Sequence, residues 1–423
     1  MRAGRALVIG GSLGGLFAAH MLRRIGWDVT VFERSADDLA TRGAGIGTHR
    51  ELFDVMREIG VPVDPDLGIA LQERVCLDRH GNVSHRTPMP QTMSAWARIY
   101  RPLKDALPAP CSRFNEKLTS VESHADRVIA RFADGTCEEG DLLIGADGIR
   151  STVREQFLPA VQPRYAGYVA WRGLVDEGNF SPASHAALFH RYTFCLPDGE
   201  VLLAYPVPGV GDDTRPGHRA MNFVWYRPVD PVHALPDLCT DETGRQHGLA
   251  IPPPLIRSDV LAATRASADR LLAPQIAEAI HRTKQLFFQP IFDLESPHLV
   301  FGRAILLGDA ACVARPHVGA GITKAALDAK TLAEALLEGP TLDAALARYD
   351  RERRHFGGGL VARGRRLGAY LEAQLKPREQ RSPTELHQDP LTVMREMGAP
   401  LAGVRELSAV ARAHAHSSHS SGR

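Results

Sequence analysis

The chain has few lysines, almost no net charge and no long apolar run. Only six of its fifty basic residues are lysine, an excess of arginine that reads as coding bias rather than as a site. Forty-nine acidic residues balance those fifty and leave a net charge of +1, so no basic field invites nucleic acid or an anionic membrane. No uninterrupted apolar stretch approaches the ~20 residues that span a bilayer, and neither nucleic acid nor membrane is expected as a partner. The six cysteines (Cys76, Cys111, Cys137, Cys195, Cys239 and Cys312) form no C-x-x-C pair. That spacing fits neither a zinc site nor a disulfide framework and points to a reducing cytoplasm. Residues 1–19 have the look of a signal peptide, but their glycines are regularly spaced and lead into a folded unit.

What remains is ordinary globular composition, 44% hydrophobic and 23% charged, over 423 residues. At roughly 150 residues per domain that is two to three domains. Residues 6–9 read as a buried strand, 16–25 as a helix stopped by Gly26, and 28–33 as a second strand. This is a βαβ unit, whose strands are parallel with a right-handed crossover. Helices are expected at 51–59 and 100–107, alternating strands at 71–86, a hairpin about Asp134 and Gly135, and a strand at 141–145. The stretches 165–175, 187–196, 201–206 and 220–226 read as an antiparallel sheet. Beyond a linker at 252–254, helices are expected at 259–283, 322–337 and 341–367, with a short strand at 304–307. Residues 411–423 read as a disordered tail, and His414, His416 and His419 within it as frayed chain rather than metal ligands.

Two strand–turn–helix motifs carry chemistry. In the first, Gly10 makes the tight turn, Ser12 stands where a second glycine is usual, and Gly15 allows close helix–strand packing. The helix N-terminus then offers N–H groups and a positive dipole end to a pyrophosphate. Glu33 ends the second strand, where a carboxylate takes ribose hydroxyls. An acid there favours an unphosphorylated ribose, hence NAD or FAD. The second motif runs from Leu307, Gly308 and Asp309 through Pro316 and His317 to Gly319, Ala320 and Gly321. Its carboxylate suits a ribityl chain and its glycines a flat ring, with a helix N-terminus facing the ring's pyrimidine edge. Those features serve a flavin rather than NAD.

With these motifs in order, and with the segment from Asp141 through Gly145, Asp147, Gly148, Arg150 and Ser151 to Arg154, the chain resembles the FAD-dependent aromatic hydroxylases related to p-hydroxybenzoate hydroxylase. The resemblance covers about residues 5–350, including Arg42 to Ile46 and Arg98 to Leu103. Around Tyr165 to Gly173, Leu203 to Pro206 and Arg315 to His317 it is similar to the members that act on dihydroxypyridines. It implies an α/β fold: a Rossmann-like, three-layer FAD-binding domain with an inserted, mainly antiparallel β-sheet substrate domain and C-terminal helices. The expected divisions are 1–70, 98–165 and 285–350 for the FAD domain, 71–97 and 166–284 for the substrate domain, and 351–410 for the C-terminal helices.

The resemblance also implies residue roles. Gly10, Ser12, Leu13, Gly14, Gly15 and Glu33 would hold the ADP half of FAD, with Arg34 flanking adenine. Arg42 and Arg101 would neutralise phosphate or reach the ribityl side, where Asp309 binds. Gly319, Ala320, Gly321, Ile322 and Thr323 would lie against the isoalloxazine, and Asp147 would serve FAD and the nicotinamide cofactor. The chain departs from the family at Cys312, where a histidine is usual, and at Ala320 and Thr323, where glutamine and asparagine are usual. Backbone contacts survive those changes, and Cys312 reads as a small apolar filler.

The activity implied is hydroxylation of an electron-rich, hydroxylated aromatic or N-heteroaromatic ring through a flavin C4a-hydroperoxide, using NADH or NADPH and O2. His317 is the candidate to take a phenolic proton, Tyr205 to hydrogen-bond a ring oxygen, and Arg172 to favour an anion. The expected partners are the small ring substrate, O2 and a second copy of the chain in a homodimer. Two other readings compete. A flavin-dependent halogenase would show a Trp-x-Trp-x-Ile-Pro segment and a catalytic lysine. A non-catalytic dinucleotide-binding redox sensor would have no use for Asp309.

Overall fold

The strand Arg5–Ile9 lies at the middle of a parallel sheet because its side chains are apolar on both faces. Val8 packs toward the helix Leu13–Arg24, and Leu7 turns the other way, toward Gly140. In this computed structural model, which describes residues 3–36, 39, 45–63, 67–248 and 250–399, the sheet has six strands. In order they are Val300–Phe301, Ala304–Leu306, Leu142–Gly145, Arg5–Ile9, Asp28–Glu33 and Ser112–Phe114. All neighbours are parallel except the edge pair Val300–Phe301 and Ala304–Leu306. Helices Leu13–Arg24 and Gly321–Glu338 cover one face, packed on each other. An antiparallel meander, Leu118–Ser123, Val128–Phe132 and Cys137–Gly140, covers the other. Phe132 of that meander meets Phe32 of the sheet at 4.7 Å between ring centroids, which makes three layers around one core.

A nine-stranded sheet forms the second body. Its order is Cys312–Val313, Phe287–Glu295, Arg164–Asp176, Ala220–Pro228, Val201–Val207, Tyr192–Cys195, Ile69–Leu77, Val83–Ala95 and Gly45–Gly47. It is antiparallel apart from the pair Tyr192–Cys195 and Ile69–Leu77. Alternation splits its side chains between two cores. Val169, Trp171, Phe223 and Trp225 pack under helices Ser258–Leu271 and Pro274–Arg282, while Tyr168, Ala170, Tyr205 and Tyr226 face the opposite way.

The ladder crosses several bounds drawn from sequence. Gly45–Gly47, Phe287–Glu295 and Cys312–Val313 pair into this sheet although they fall in the segments 1–70 and 285–350. The helix expected at 259–283 is two helices, because Pro274 begins the second at its first turn. Part of the strand-like stretch 187–196 belongs to the helix Pro182–Leu188, capped by the Ser181 side chain. The last long helix runs Leu342–Ala373, across residue 350, with Thr341 as its N-cap. Arg42 and the tail 411–423 lie outside the described residues. No helix among the described residues is long and apolar enough to cross a membrane.

Candidate cofactor and substrate site

Three loops meet where the two covering helices begin. At the first, Gly10 has φ +109°, and a Cβ there would fall 2.4 Å from the Ala146 carbonyl oxygen. A Cβ on Gly15 would fall 1.8 Å from the Gly10 carbonyl oxygen, so only glycine lets this helix sit so close to its strand. Gly14 is within van der Waals reach of Leu307 and Ala325, and Gly308 of Ala325. The Gly10–Gly15 turn, the Ala146–Asp147 turn and the Gly308–Asp309 turn are therefore one surface. Ser12 is the N-cap, extended, and its hydroxyl makes no capping bond; Leu13 is buried beneath.

Glu33 is buried, and its two oxygens accept the N–H groups of Gly11 and Ser35, each at 2.8 Å. Those bonds aim the carboxylate and leave lone pairs for further donors. Beside it opens a recess of about 230 Å³, in part open solvent, lined by Gly11, Glu33, Tyr100, Lys104, Arg113 and Phe114. Arg34 is exposed next to it. Asp147 accepts the Thr152 N–H at 2.7 Å through Oδ2, while Oδ1 is buried with no partner. Burial raises its pKa. Asp309 is exposed to solvent, and desolvation by the protein around it raises its pKa. Arg101 is exposed and paired with Asp212 at 2.6 Å, a contact worth at most about 1 kcal/mol and easily exchanged.

The Asp309 turn is held from behind by side chains that carry no motif. Lys324 donates to the Gly308 carbonyl at 2.7 Å and pairs with Asp328 at 3.0 Å, and Asp328 also accepts the Gly308 N–H and Arg353. Burial favours the neutral acid, but Lys324 and Arg353 hold the Asp328 carboxyl below its usual range. Cys312 is buried against Gly357, and desolvation pushes its thiol up.

Gly319 is left-handed at φ +63°, and Ala320 leads into the helix that starts at Gly321. Gly321 is exposed and Ile322 half-buried, whereas Thr323 is buried with its hydroxyl 3.0 Å from His49 Nδ1. His49 Nε2 has no partner, and burial lowers its pKa. The loop is anchored by Arg315, fully buried and paired with Asp293 at 3.0 Å and Glu372 at 2.7 Å. It is closed from outside by Gly398, whose N–H donates to the His317 carbonyl at 2.7 Å. Arg74, also fully buried, donates to the carbonyls of Met394, Met397 and Gly398.

His317 itself is buried, shares a 2.7 Å hydrogen bond with the Tyr168 hydroxyl and packs on Tyr226 at 4.4 Å. Burial, helped by the Arg315 charge, pushes its pKa down to about 3. It is neutral at pH 7, and a ring held this way is a weak acceptor for the phenolic proton the sequence assigns to it. Tyr205 and Tyr226 lie on the same sheet face; burial raises both phenols. Arg172 is on that face too, half-buried, with its Nε unpartnered.

These residues suit FAD. Only glycine leaves room at Gly10 and Gly15, Asp147 has an orphaned oxygen at that turn, and Asp309 is exposed at the adjoining turn. Sequence reasoning missed Tyr168, Asn222, Lys324, Asp328 and Arg74. Their partners depend on strand register and helix crossing, and no local motif signals them.

Comparison with known proteins agrees. A family model described as "FAD binding domain" matches residues 4–195, and one described as "FAD binding domain-like" matches 165–293. The chain is 31% identical over 372 residues to 2,6-dihydroxypyridine 3-monooxygenase of Paenarthrobacter nicotinovorans, covering 87% of this chain and 91% of that one. It is 28% identical to 6-hydroxynicotinate 3-monooxygenase of Bordetella bronchiseptica, covering 78% and 81%. The solved structure of 2,6-dihydroxypyridine-3-hydroxylase from Arthrobacter nicotinovorans superposes with a TM-score of 0.82 at 29% identity, covering 92% and 98%.

Proposed function

The chain belongs to the family of FAD-dependent aromatic hydroxylases, and from that premise we propose that it hydroxylates a hydroxypyridine-type ring at the face formed by Arg172, Tyr205 and Tyr226. It is an FAD-dependent monooxygenase of aromatic or heteroaromatic rings that uses NAD(P)H and O2. The observation that carries the proposal is the meeting of the Gly10, Asp147 and Asp309 turns, together with the loop after Asp309 that sets His317 against Tyr168 and Tyr226 of that sheet face.

Within the proposal, the Gly10–Gly15 turn and the helix after it hold the pyrophosphate, and Glu33 the ribose. Asp309 binds the ribityl chain, and Gly319 to Thr323 support the flavin ring. When bound, FAD reduced by NAD(P)H supplies activated oxygen to the substrate. The protein's own work is to orient the ring, exclude water and manage one proton. Tyr205 orients a ring oxygen, and the enclosed tyrosine face excludes water. His317, neutral and bonded to Tyr168, passes a proton along that pair rather than storing it.

The test is a panel of hydroxypyridines, hydroxybenzoates and phenols added to FAD-loaded protein, with NAD(P)H consumption and product both measured. At least one hydroxypyridine is expected to accelerate NAD(P)H oxidation about tenfold or more with stoichiometric hydroxylation. Stimulation by benzoates and phenols alone would reject the hydroxypyridine substrate.

A further inference from the structure

The cluster behind the Gly308 turn holds more positive charge than its hydrogen bonds need. The Gly308 carbonyl already accepts the Ala311 N–H at 3.1 Å, and the Asp328 carboxylate already has the Arg353 guanidinium at 2.7 Å. Lys324 is added to both, 2.7 Å from the Gly308 oxygen and 3.0 Å from Asp328 Oδ2. All three side chains are buried, Lys324 most of all at 2% exposure. Two buried cations therefore face one buried carboxylate. A neutral donor would serve the carbonyl as well, and a buried ammonium is costly unless a charge meets it. Lys324 also lies in the first turn of the helix Gly321–Glu338, where a cation runs against the helix dipole.

The groups around the ammonium show which charge it meets. Cys312, from the strand after the turn, and Tyr349, from the helix Leu342–Ala373, stay neutral because burial pushes thiol and phenol up. Arg154, from the helix Thr152–Phe157, donates to the Ala310 carbonyl at 3.2 Å, and its charge is felt by Asp147. In the recess that Lys324 lines, Glu295 pairs with Arg365 and Arg354 with Asp350. There remains Asp309, the residue after Gly308, whose carboxylate interacts with the Lys324 charge. Asp309 is exposed, so water supports its charge. A ribityl chain laid over it removes that water and makes the anion costly without a cation behind it.

We infer that Lys324 is a positioning residue of the flavin site: its buried ammonium steadies the Gly308 carbonyl and keeps Asp309 an anion beneath the ribityl chain. The inference rests on the reading that Asp309 binds that chain, and it adds a residue that no motif marks.

The test is the pH dependence of FAD binding. The full chain, stripped of flavin, is titrated with FAD, and Kd is read from flavin fluorescence between about pH 6 and 8.5. The wild-type Kd should change less than about threefold. In Lys324→Met, Asp309 has no counter-charge once covered and takes up a proton as FAD binds. Affinity should then fall as the pH rises, about tenfold or more across the range, since each unit of raised pKa is tenfold in Kd. Lys324→Arg keeps a cation and should stay flat, and Lys324→Met with Asp309→Asn should be flat again. Lys324→Gln gives the same comparison as Lys324→Met if the latter fails to fold. A merely structural lysine would change Kd equally at every pH. A flat profile for the neutral variants overturns the inference, as does a slope that persists in Lys324→Arg or in the double variant. Asp309→Asn alone should weaken FAD about tenfold; unchanged affinity there overturns the ribityl reading itself and the inference with it.

Discussion

His317 stands in the sequence as a candidate proton acceptor beside a glycine loop and sits in the fold as a neutral ring between Tyr168 and Tyr226. Its folded pKa of about 3 lies below the ordinary histidine value of 6.5, so the unfolded chain takes up the proton first. The stability tied to its neutrality is complete above about pH 6.5 and is lost as the pH falls toward about 3. Between pH 6.5 and 4.5 the wild-type melting midpoint should therefore fall by at least about 3 °C more than that of His317→Gln. His20 and His49, also lowered by burial, remain in both proteins, so the difference isolates one ring. Parallel melting curves would contradict the assignment.

Among the elements, the first helix is the most demanding. Gly14 and Gly15 are neighbours in sequence and opposites in tolerance. A Cβ on Gly14 meets Leu307 at an ordinary 3.5 Å, whereas one on Gly15 collides with the Gly10 carbonyl. Gly15→Ala must push the helix off its strand, and is expected to cost about 3 kcal/mol or more and most of the bound FAD. Gly14→Ala should stay within about 1 kcal/mol by urea denaturation. Equal losses would mean that the packing does not set the glycine requirement. The same contrast explains what the sequence reveals. Gly10, Gly15, Glu33, Asp147 and Asp309 are legible because each acts within its own strand, turn or helix. Asn222, Tyr168, Lys324 and Asp328 are not, because their partners arrive from strands and helices far along the chain. The helix expected at 259–283 breaks at Pro274 for a related reason: apolar periodicity continues across a residue that starts a new helix.

Across the whole molecule, Arg74 ties the far end of the chain to the sheet. It is a fully buried cation with no carboxylate partner among the described residues, balanced by carbonyls of Met394, Met397 and Gly398 and by the Tyr192 ring at 4.6 Å. Arg74→Met removes those donors and should release the segment 390–398. Limited proteolysis with mass spectrometry should find cleavage there at least about tenfold faster than in the wild type, since loss of such buried bonds exceeds about 1.4 kcal/mol. Unchanged cleavage would show that packing alone holds the segment. Gly398 is also the residue whose N–H closes on the His317 carbonyl. One buried cation on the sheet therefore couples the docking of a segment 324 residues further along to closure over His317, so a change at Arg74 would loosen that wall without altering any residue that lines it.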